Sequence, residues 1–180
     1  MDKNNQQGTP KPNRGFTLIE LMVTIGILAI LLAAVAPSFR GLLLDNQAAT
    51  QADALVTSLM LARSEAIKRN VPVVMCRSSS GTDCAGSNWA SGWIVFVDAD
   101  RSGSSAISTG DTIIQTVGKL PASFALTTGA VSAFTYQPDG SVTTADNFLL
   151  CPPDHVSSRA RQIQVDATGR PTVVKGGTCT

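Results

Sequence analysis

The four cysteines are the side chains with the clearest capacity for chemistry: Cys76, Cys84, Cys151 and Cys179. None belongs to a Cys-x-x-Cys pair, and the single histidine, His155, adds little to a zinc site. An even number of cysteines, in a chain with an apolar N-terminal segment typical of export, favours two disulfides. Of the three possible pairings, Cys76–Cys84 and Cys151–Cys179 are favoured because each closes a local stretch of chain. The second would also tie down the C-terminus.

The residues that could support catalysis are sparse. Hydroxyls are supplied by the run Ser78-Ser79-Ser80, and His155 is the only conventional general base. The sequence contains no Gly-x-Ser-x-Gly elbow, no His-Glu-x-x-His pair and no phosphate-binding loop. A lone histidine in the segment Cys-Pro-Pro-Asp-His is more typical of a surface loop than of a catalyst. We therefore expect neither an enzyme nor a bound cofactor.

The segment Asp98-Ala99-Asp100-Arg101-Ser102-Gly103 resembles the start of a calcium-binding loop. Its twelfth position is Thr109, where such loops carry a bidentate glutamate. A polar turn after a strand explains the same residues, because aspartate side chains accept hydrogen bonds from nearby backbone N–H groups. We assign no metal site here.

Basic residues are concentrated near the C-terminus, although the formal net charge of the whole chain is only +1. Contacts of such residues with nucleic acid would be weak, independent of sequence and sensitive to salt. Solvated charges on a hairpin explain the same pattern without a ligand. The candidate DNA-binding residues are Arg159, Arg161, Arg170 and Lys175.

The elements that position these groups begin with an apolar N-terminal segment. Residues 1–15 are polar with basic side chains, and 16–36 form an almost uninterrupted apolar run. About 20 residues at ~1.5 Å rise can cross ~30 Å of hydrocarbon. The run is longer than the apolar part of a secretory signal peptide and contains a carboxylate, Glu20. The sequence therefore predicts a transmembrane helix over 16–36, with the basic leader in the cytoplasm.

The helix is predicted to continue beyond the membrane through 37–70, with a kink at Pro37. Leucines and alanines recur there at three- and four-residue steps, which indicates one apolar face, and Val71-Pro72 ends the pattern.

Residues 71–180 read as short strands between turns, so the predicted fold is α+β, a long helix packed on an antiparallel sheet. The predicted strands are 73–76, 93–98, 112–117, 124–127, 134–137, 148–151, 162–165 and 172–174. Trp89 either joins the core or contacts a partner protein.

Residues 14–20, Arg-Gly-Phe-Thr-Leu-Ile-Glu, followed by the apolar run, closely resemble a type IV prepilin signal. The resemblance implies that a prepilin peptidase cleaves between Gly15 and Phe16 and that Phe16 is then N-methylated. It also implies assembly roles for Glu20 and Pro37. A carboxylate close to the membrane needs a partner, and in assembled pilins the proposed partner of the glutamate is the N-terminal amine of a neighbouring subunit.

Two further segments, 61–70 (LARSEAIKRN) and 92–98 (GWIVFVD), are similar to minor pilins of the FimU/FimT type and to GspH minor pseudopilins. The resemblance implies a non-catalytic minor pilin that primes or tips a type IV pilus. It implies an inner-membrane location with the 71–180 domain in the periplasm, followed by incorporation into the pilus. The implied partners are other minor pilins, the major pilin, the prepilin peptidase and the inner-membrane assembly platform.

Two alternative functions stay open. One is a minor pseudopilin of a type II secretion system. The other is a DNA-binding minor pilin for natural transformation, since some FimT-like pilins bind DNA through a Gly-Arg-x-Arg motif. The corresponding stretch here, Gly169-Arg170-Pro171-Thr172, retains the first arginine and lacks the second.

Overall fold

The computed structural model describes residues 15–103, 106–121 and 123–179, and at 34–38 it describes the backbone alone. The predicted leader, residues 1–15, lies outside this range except for Gly15. The chain divides into two compact units, Met1–Gly41 and Leu42–Thr180.

In the first unit, helix α1 (Leu18–Arg69) begins with Thr17 as its cap. The Thr17 hydroxyl accepts a hydrogen bond from the Glu20 N–H at 3.3 Å, which satisfies one of the free donors of the first turn. The large apolar side chains from Leu18 to Leu32 are all more than half exposed. The helix as assigned includes Pro37, and the kink expected there stays a prediction.

In the part of the chain that the structure describes, no helix combines the length and the apolar character needed to cross a membrane. The span predicted at 16–36 is therefore not detected.

In the second unit, α1 buries the apolar face that its sequence spacing predicts. Leu44 is half-buried, and the other members of this face are at most 1% exposed: Ala48, Ala52, Leu55, Leu59, Ala62 and Ala66. The helix ends at Arg69 because Asn70 adopts a left-handed conformation with φ 55°, a common way to terminate a helix. The Val71-Pro72 pair then prevents helical continuation.

Eight antiparallel strands follow the helix, each within two residues of its predicted position. They are β1 (Val73–Arg77), β2 (Trp93–Val97), β3 (Thr112–Val117), β4 (Ala125–Thr128), β5 (Ala133–Tyr136), β6 (Asp146–Cys151), β7 (Arg161–Val165) and β8 (Pro171–Lys175). They form two four-stranded sheets, ordered β3-β2-β1-β5 and β4-β6-β7-β8. The predicted α+β fold, a long helix packed on antiparallel β-structure, is confirmed, with two sheets in place of the one expected.

The chain passes from one sheet to the other three times, and one of these passages is the turn between β4 and β5. The Asp146 carboxylate accepts hydrogen bonds from the backbone N–H groups of Gly129, Ala130 and Val131 at 3.0–3.2 Å and from its neighbour Asn147 at 2.8 Å. Backbone donors lower the pKa of this carboxyl against the opposing effect of its partial burial. The turn is thereby fixed so that β4 pairs with β6 and β5 pairs with β1.

The two faces of the first sheet bury different clusters. One face joins the main core beneath α1, and the other carries a smaller cluster of Val74, Cys76, Ile94 and Phe96, as the two-residue alternation of strands requires. Trp89 is 2% exposed and packs edge-on against an aromatic ring of β6 at 5.0 Å between centroids. Trp89 thus belongs to the core.

Candidate functional site

The residues predicted to direct processing and assembly lie together at the start of α1. Among the described residues, a Cβ atom added at Gly15 would meet no heavy atom within 4 Å beyond its chain neighbours. Phe16 is 83% exposed, and Glu20 is exposed in the first helical turn. The acidic side chain is thus placed at the positive end of the helix dipole, where a negative charge is favoured. The arrangement leaves the predicted cleavage site, Gly15–Phe16, accessible.

The four cysteines form two disulfides. Cys76 is bonded to Cys84 across a separation of eight residues, and Cys151 is bonded to Cys179 across 28. The first holds the loop after β1 against the smaller cluster. The second fastens the segment after β8 to β6, so it fixes the C-terminal strand region.

Two of the four candidate DNA-binding residues are engaged with the helix. Arg161 is 7% exposed, and its guanidinium donates to Asp45 Oδ1 at 2.7 Å. The ammonium of Lys175 donates to Asp45 Oδ2 at 2.9 Å. The Arg161 hydrogen bond, followed by that of Lys175, lowers the pKa of the Asp45 carboxyl. Asp45 therefore joins α1 to the paired strands β7 and β8.

The other two basic residues lie at the surface. Arg159 forms an ion pair with Asp154. Arg170 is exposed next to the β7–β8 turn, and among the described residues no carboxylate lies within ion-pair distance of it. Its backbone N–H donates to Asp166 Oδ1 at 3.0 Å. Of the four basic side chains, that of Arg170 is thus the one that makes no direct ion pair in the described part of the chain. The Thr168 hydroxyl and then the Arg170 backbone N–H lower the pKa of the Asp166 carboxyl, and the Arg170 charge contributes to the same shift.

Three aspartates converge at the loop end of the β2–β3 hairpin. One carboxylate oxygen from each of Asp98, Asp100 and Asp111 lies within 4.8 Å of the others, close enough in principle to hold a cation. Asp98 and Asp100 belong to the segment that resembles a calcium-binding loop, whereas Asp111 was not predicted to lie with them. The register of the hairpin could have predicted the position of Asp111, because Val97 pairs with Thr112 and so places residues 98 and 111 side by side.

Hydrogen bonds within the loop account for these carboxylates without an ion. Asp98 accepts from the N–H groups of Ser102 and Gly103 at 3.1 and 2.9 Å. The Ser108 hydroxyl, followed by the Ser102 backbone N–H, lowers the pKa of Asp100 to about 2. The cluster therefore behaves as the polar turn that the sequence also allowed.

The residues considered for catalysis are not assembled into a nucleophile–base pair. Ser78 is buried, and its hydroxyl accepts the Gly81 N–H at 2.9 Å, which holds a turn. His155 occupies an exposed turn with φ 52°. Among the described residues, the His155 side chain makes no hydrogen bond to a serine.

A prepilin-type N-terminal motif, a long helix and antiparallel sheets, with one disulfide at a strand of each sheet, define a type IV pilin-like subunit. Residues 10–36 match the prokaryotic N-terminal methylation motif. Residues 51–169, about two thirds of the chain, match the family described as type II transport protein GspH. The chain belongs to the GspH family.

Solved structures share the fold at low sequence identity. The type IV minor pilin FimU of Pseudomonas aeruginosa is 18% identical, with 75% of this chain and 96% of that chain covered and a TM-score of 0.54. The minor pseudopilin EpsH from the type 2 secretion system of Vibrio cholerae is 13% identical, with 72% and 97% covered and a TM-score of 0.51. No curated protein matches the chain significantly in sequence.

Family membership defines the general role. The chain is a minor pilin or pseudopilin of a type IV pilus or a type II secretion system, and it is a non-catalytic structural subunit. The methylation motif implies processing by a prepilin peptidase and anchoring in the inner membrane before assembly with other pilins.

Proposed function

We propose that this protein is a minor pilin that primes or tips a type IV pilus. The observation that carries the proposal is the uncovered apolar surface of α1 between Leu18 and Leu32. Burying one Leu, Ile or Val side chain is worth about 1.5–3 kcal/mol, so this surface is stabilised by lipid before assembly and by neighbouring helices afterwards. Glu20 is the only charged residue in that stretch.

In this proposal the N-terminus acts as a switch. Cleavage after Gly15 creates a free amine at Phe16, four residues before Glu20. The Glu20 carboxylate of one subunit then pairs with the Phe16 amine of the next, which fixes the axial register between helices. Until cleavage this amine does not exist, so the precursor stays anchored across the inner membrane through 16–36 with its globular domain in the periplasm.

Replacing Gly15 with phenylalanine tests the processing step. Because a Cβ atom at Gly15 meets no described atom within 4 Å beyond its chain neighbours, the variant should fold normally yet remain uncleaved and outside the filament. The measurement is the mass of the chain in membranes and in sheared surface filaments. Normal cleavage of the variant would contradict the assignment of Gly15.

A deletion strain tests the priming role. We expect loss of surface pili, recovery with the wild-type chain and no recovery with Glu20→Gln, which keeps the size of the side chain and removes its charge. Asp53→Asn is the matched control, since Asp53 is an exposed carboxylate on the same helix. Intact pili in the deletion strain, with loss of secreted proteins, would instead favour the pseudopilin alternative.

The DNA-uptake alternative depends most on Arg170, which is exposed and makes no ion pair among the described residues. This alternative predicts salt-sensitive DNA binding that weakens in Arg170→Ala. The binding is measured by electrophoretic mobility shift at low and physiological salt. Binding unchanged after removal of Arg159, Arg161 and Arg170 would contradict that alternative.

A further inference from the structure

A small surface pocket lies between the end of β1 and the free edge of β4. Its volume is about 180 Å³, and its lining includes Arg77, Asn88, Trp89, Leu126 and Thr127. A site for one water needs only ~15 Å³ of such volume, so the pocket has room for a carboxylate group and its methylene stem. None of the residues that line it is acidic.

Arg77 is a cation whose hydrogen-bonding capacity is largely unused. With the described residues its guanidinium makes one long hydrogen bond, from Nη1 to the Ser87 carbonyl at 3.3 Å, although a guanidinium carries five N–H donors. Within the described residues it has no carboxylate partner, in contrast to Arg161 and Arg159. The side chain is partly buried, where an unpaired charge is less well solvated than at the open surface.

The surrounding groups complement a carboxylate. Thr127 is exposed, and in the described part of the chain its hydroxyl has no hydrogen-bond partner. The Asn88 amide N–H₂ makes only a 3.4 Å contact with its neighbour Ser87, so it can donate to a ligand. Trp89 and Leu126 are both buried and provide apolar walls for a methylene stem.

Asp146, at the start of β6, does not neutralise Arg77. Asp146 is occupied by four backbone N–H groups, and it makes no ion pair with Arg77. The pocket is therefore a cationic site with additional neutral donors. Guanidinium groups bind carboxylates bidentately, and such charge-assisted hydrogen bonds are stronger than neutral ones.

We propose that this pocket receives an aspartate or glutamate side chain of a neighbouring protein subunit, with Arg77 as its ionic anchor and Thr127 and Asn88 as additional donors. The identity of the partner as a subunit rests on the proposed function. The carboxylate specificity rests on the pocket alone, and the two parts are tested separately.

The first test uses N-acetyl-glutamate amide, whose only charge is its side-chain carboxylate, and the full-length ¹⁵N-labelled chain in non-ionic detergent. We expect saturable shifts of the Arg77 Nε–H and Asn88 amide signals, with at least tenfold weaker binding of the matched glutamine compound. Arg77→Gln should abolish the shifts, and Arg77→Lys should weaken binding because it retains the charge but not the planar donor pair.

Arg101→Gln is the matched control, because this exposed arginine donates to the Asn70 carbonyl outside the pocket. Unchanged fluorescence of the buried tryptophan Trp93 would show that the Arg77 variants are folded. Equal binding of the glutamate and glutamine compounds, or binding retained in Arg77→Gln, would overturn the carboxylate site.

The second test measures incorporation of Arg77→Glu into sheared filaments, with the cleaved chain in membranes measured in parallel. We expect normal cleavage and at least fivefold less incorporation, since the introduced carboxylate repels an acidic partner. If Arg77→Glu is incorporated normally while the wild-type chain binds the glutamate compound in the first test, the proposal that a neighbouring subunit supplies the carboxylate is wrong. Failure of the proposed function would instead appear as pili that persist without this chain.

Discussion

Replacing Asp45 with asparagine should weaken the attachment of α1 to the second sheet. The Asp45 carboxylate binds two cations on adjacent strands, Arg161 at 2.7 Å and Lys175 at 2.9 Å. Asparagine retains the shape and one oxygen acceptor but removes the negative charge. The substitution therefore measures the ionic contribution without opening a cavity.

The expected loss is about 2 kcal/mol of unfolding free energy. Breaking a fully buried ion pair typically costs about 3–5 kcal/mol. The cost is lower here because the Asp45 side chain is 27% exposed and Arg161 also donates to the carbonyls of Arg159 and Ala160. Lys175 is 60% exposed and should add no more than about 0.5 kcal/mol. For a domain of this size, the corresponding decrease in Tm is roughly 4–8 °C.

The stabilisation provided by the Asp45 ion pairs should depend on pH in a definite direction. Hydrogen bonds from Arg161 and then Lys175 lower the pKa of Asp45 in the folded protein below its unfolded value of 3.8. The stabilisation is therefore present above the unfolded pKa and is lost as the pH falls through the folded one. The difference in Tm between the wild type and Asp45→Asn should have its maximum value at pH 7 and should decrease below about pH 4.

Thermal unfolding followed by tryptophan fluorescence provides the assay, since Trp89 and Trp93 are both buried. Asp154→Asn is the matched control. Its ion pair with Arg159 has side chains 26% and 30% exposed, so its loss should cost less than about 1 kcal/mol. If Asp45→Asn were no more destabilising than this control, the interpretation of Asp45 as an anchor for the helix would be wrong.

Two further substitutions test local packing by the same unfolding measurement. Ser58→Ala should cost about 1–3 kcal/mol, because it removes the acceptor of the buried Trp93 indole N–H at 2.9 Å. Ser64→Ala, on the exposed side of α1, should change stability by less than about 0.5 kcal/mol, and equal effects would contradict the role of Ser58. Gly169→Ala should cost at least about 2 kcal/mol, since Gly169 has φ +74° and an added Cβ would lie 2.2 Å from the Gly140 carbonyl oxygen. An unchanged Tm would show that the β7–β8 turn tolerates a side chain.

Much of the fold was predictable because it depends on local patterns. The apolar face of α1 follows from three- and four-residue spacing, and its end follows from Val71-Pro72. Strand positions follow from β-branched and aromatic runs between turns, and the interval Thr112–Val117 was predicted without error. The disulfide pairing follows the same rule, because both bonds in the structure close local stretches of chain.

The features that were not predicted depend on contacts between distant segments. Asp45 and Arg161 are 116 positions apart, and no spacing rule relates a helical carboxylate to a strand so far along the chain. The assignment of β4 and β5 to different sheets depends on Asp146, whose side chain fixes a turn about 16 residues earlier. Long-range hydrogen bonds of this kind determine topology, whereas hydrophobic periodicity determines the elements.

The chain separates a self-sufficient domain from a surface that requires partners. The core of Leu42–Thr180 is formed by its own helix and sheets. The large side chains from Leu18 to Leu32 are uncovered, and burial of each is worth about 1.5–3 kcal/mol. Such apolar contacts are nondirectional, so they provide affinity without selecting a register. In the proposed assembly, the register between subunits must therefore be selected by polar groups. These are Glu20 at the start of the helix and Arg77 on the globular domain.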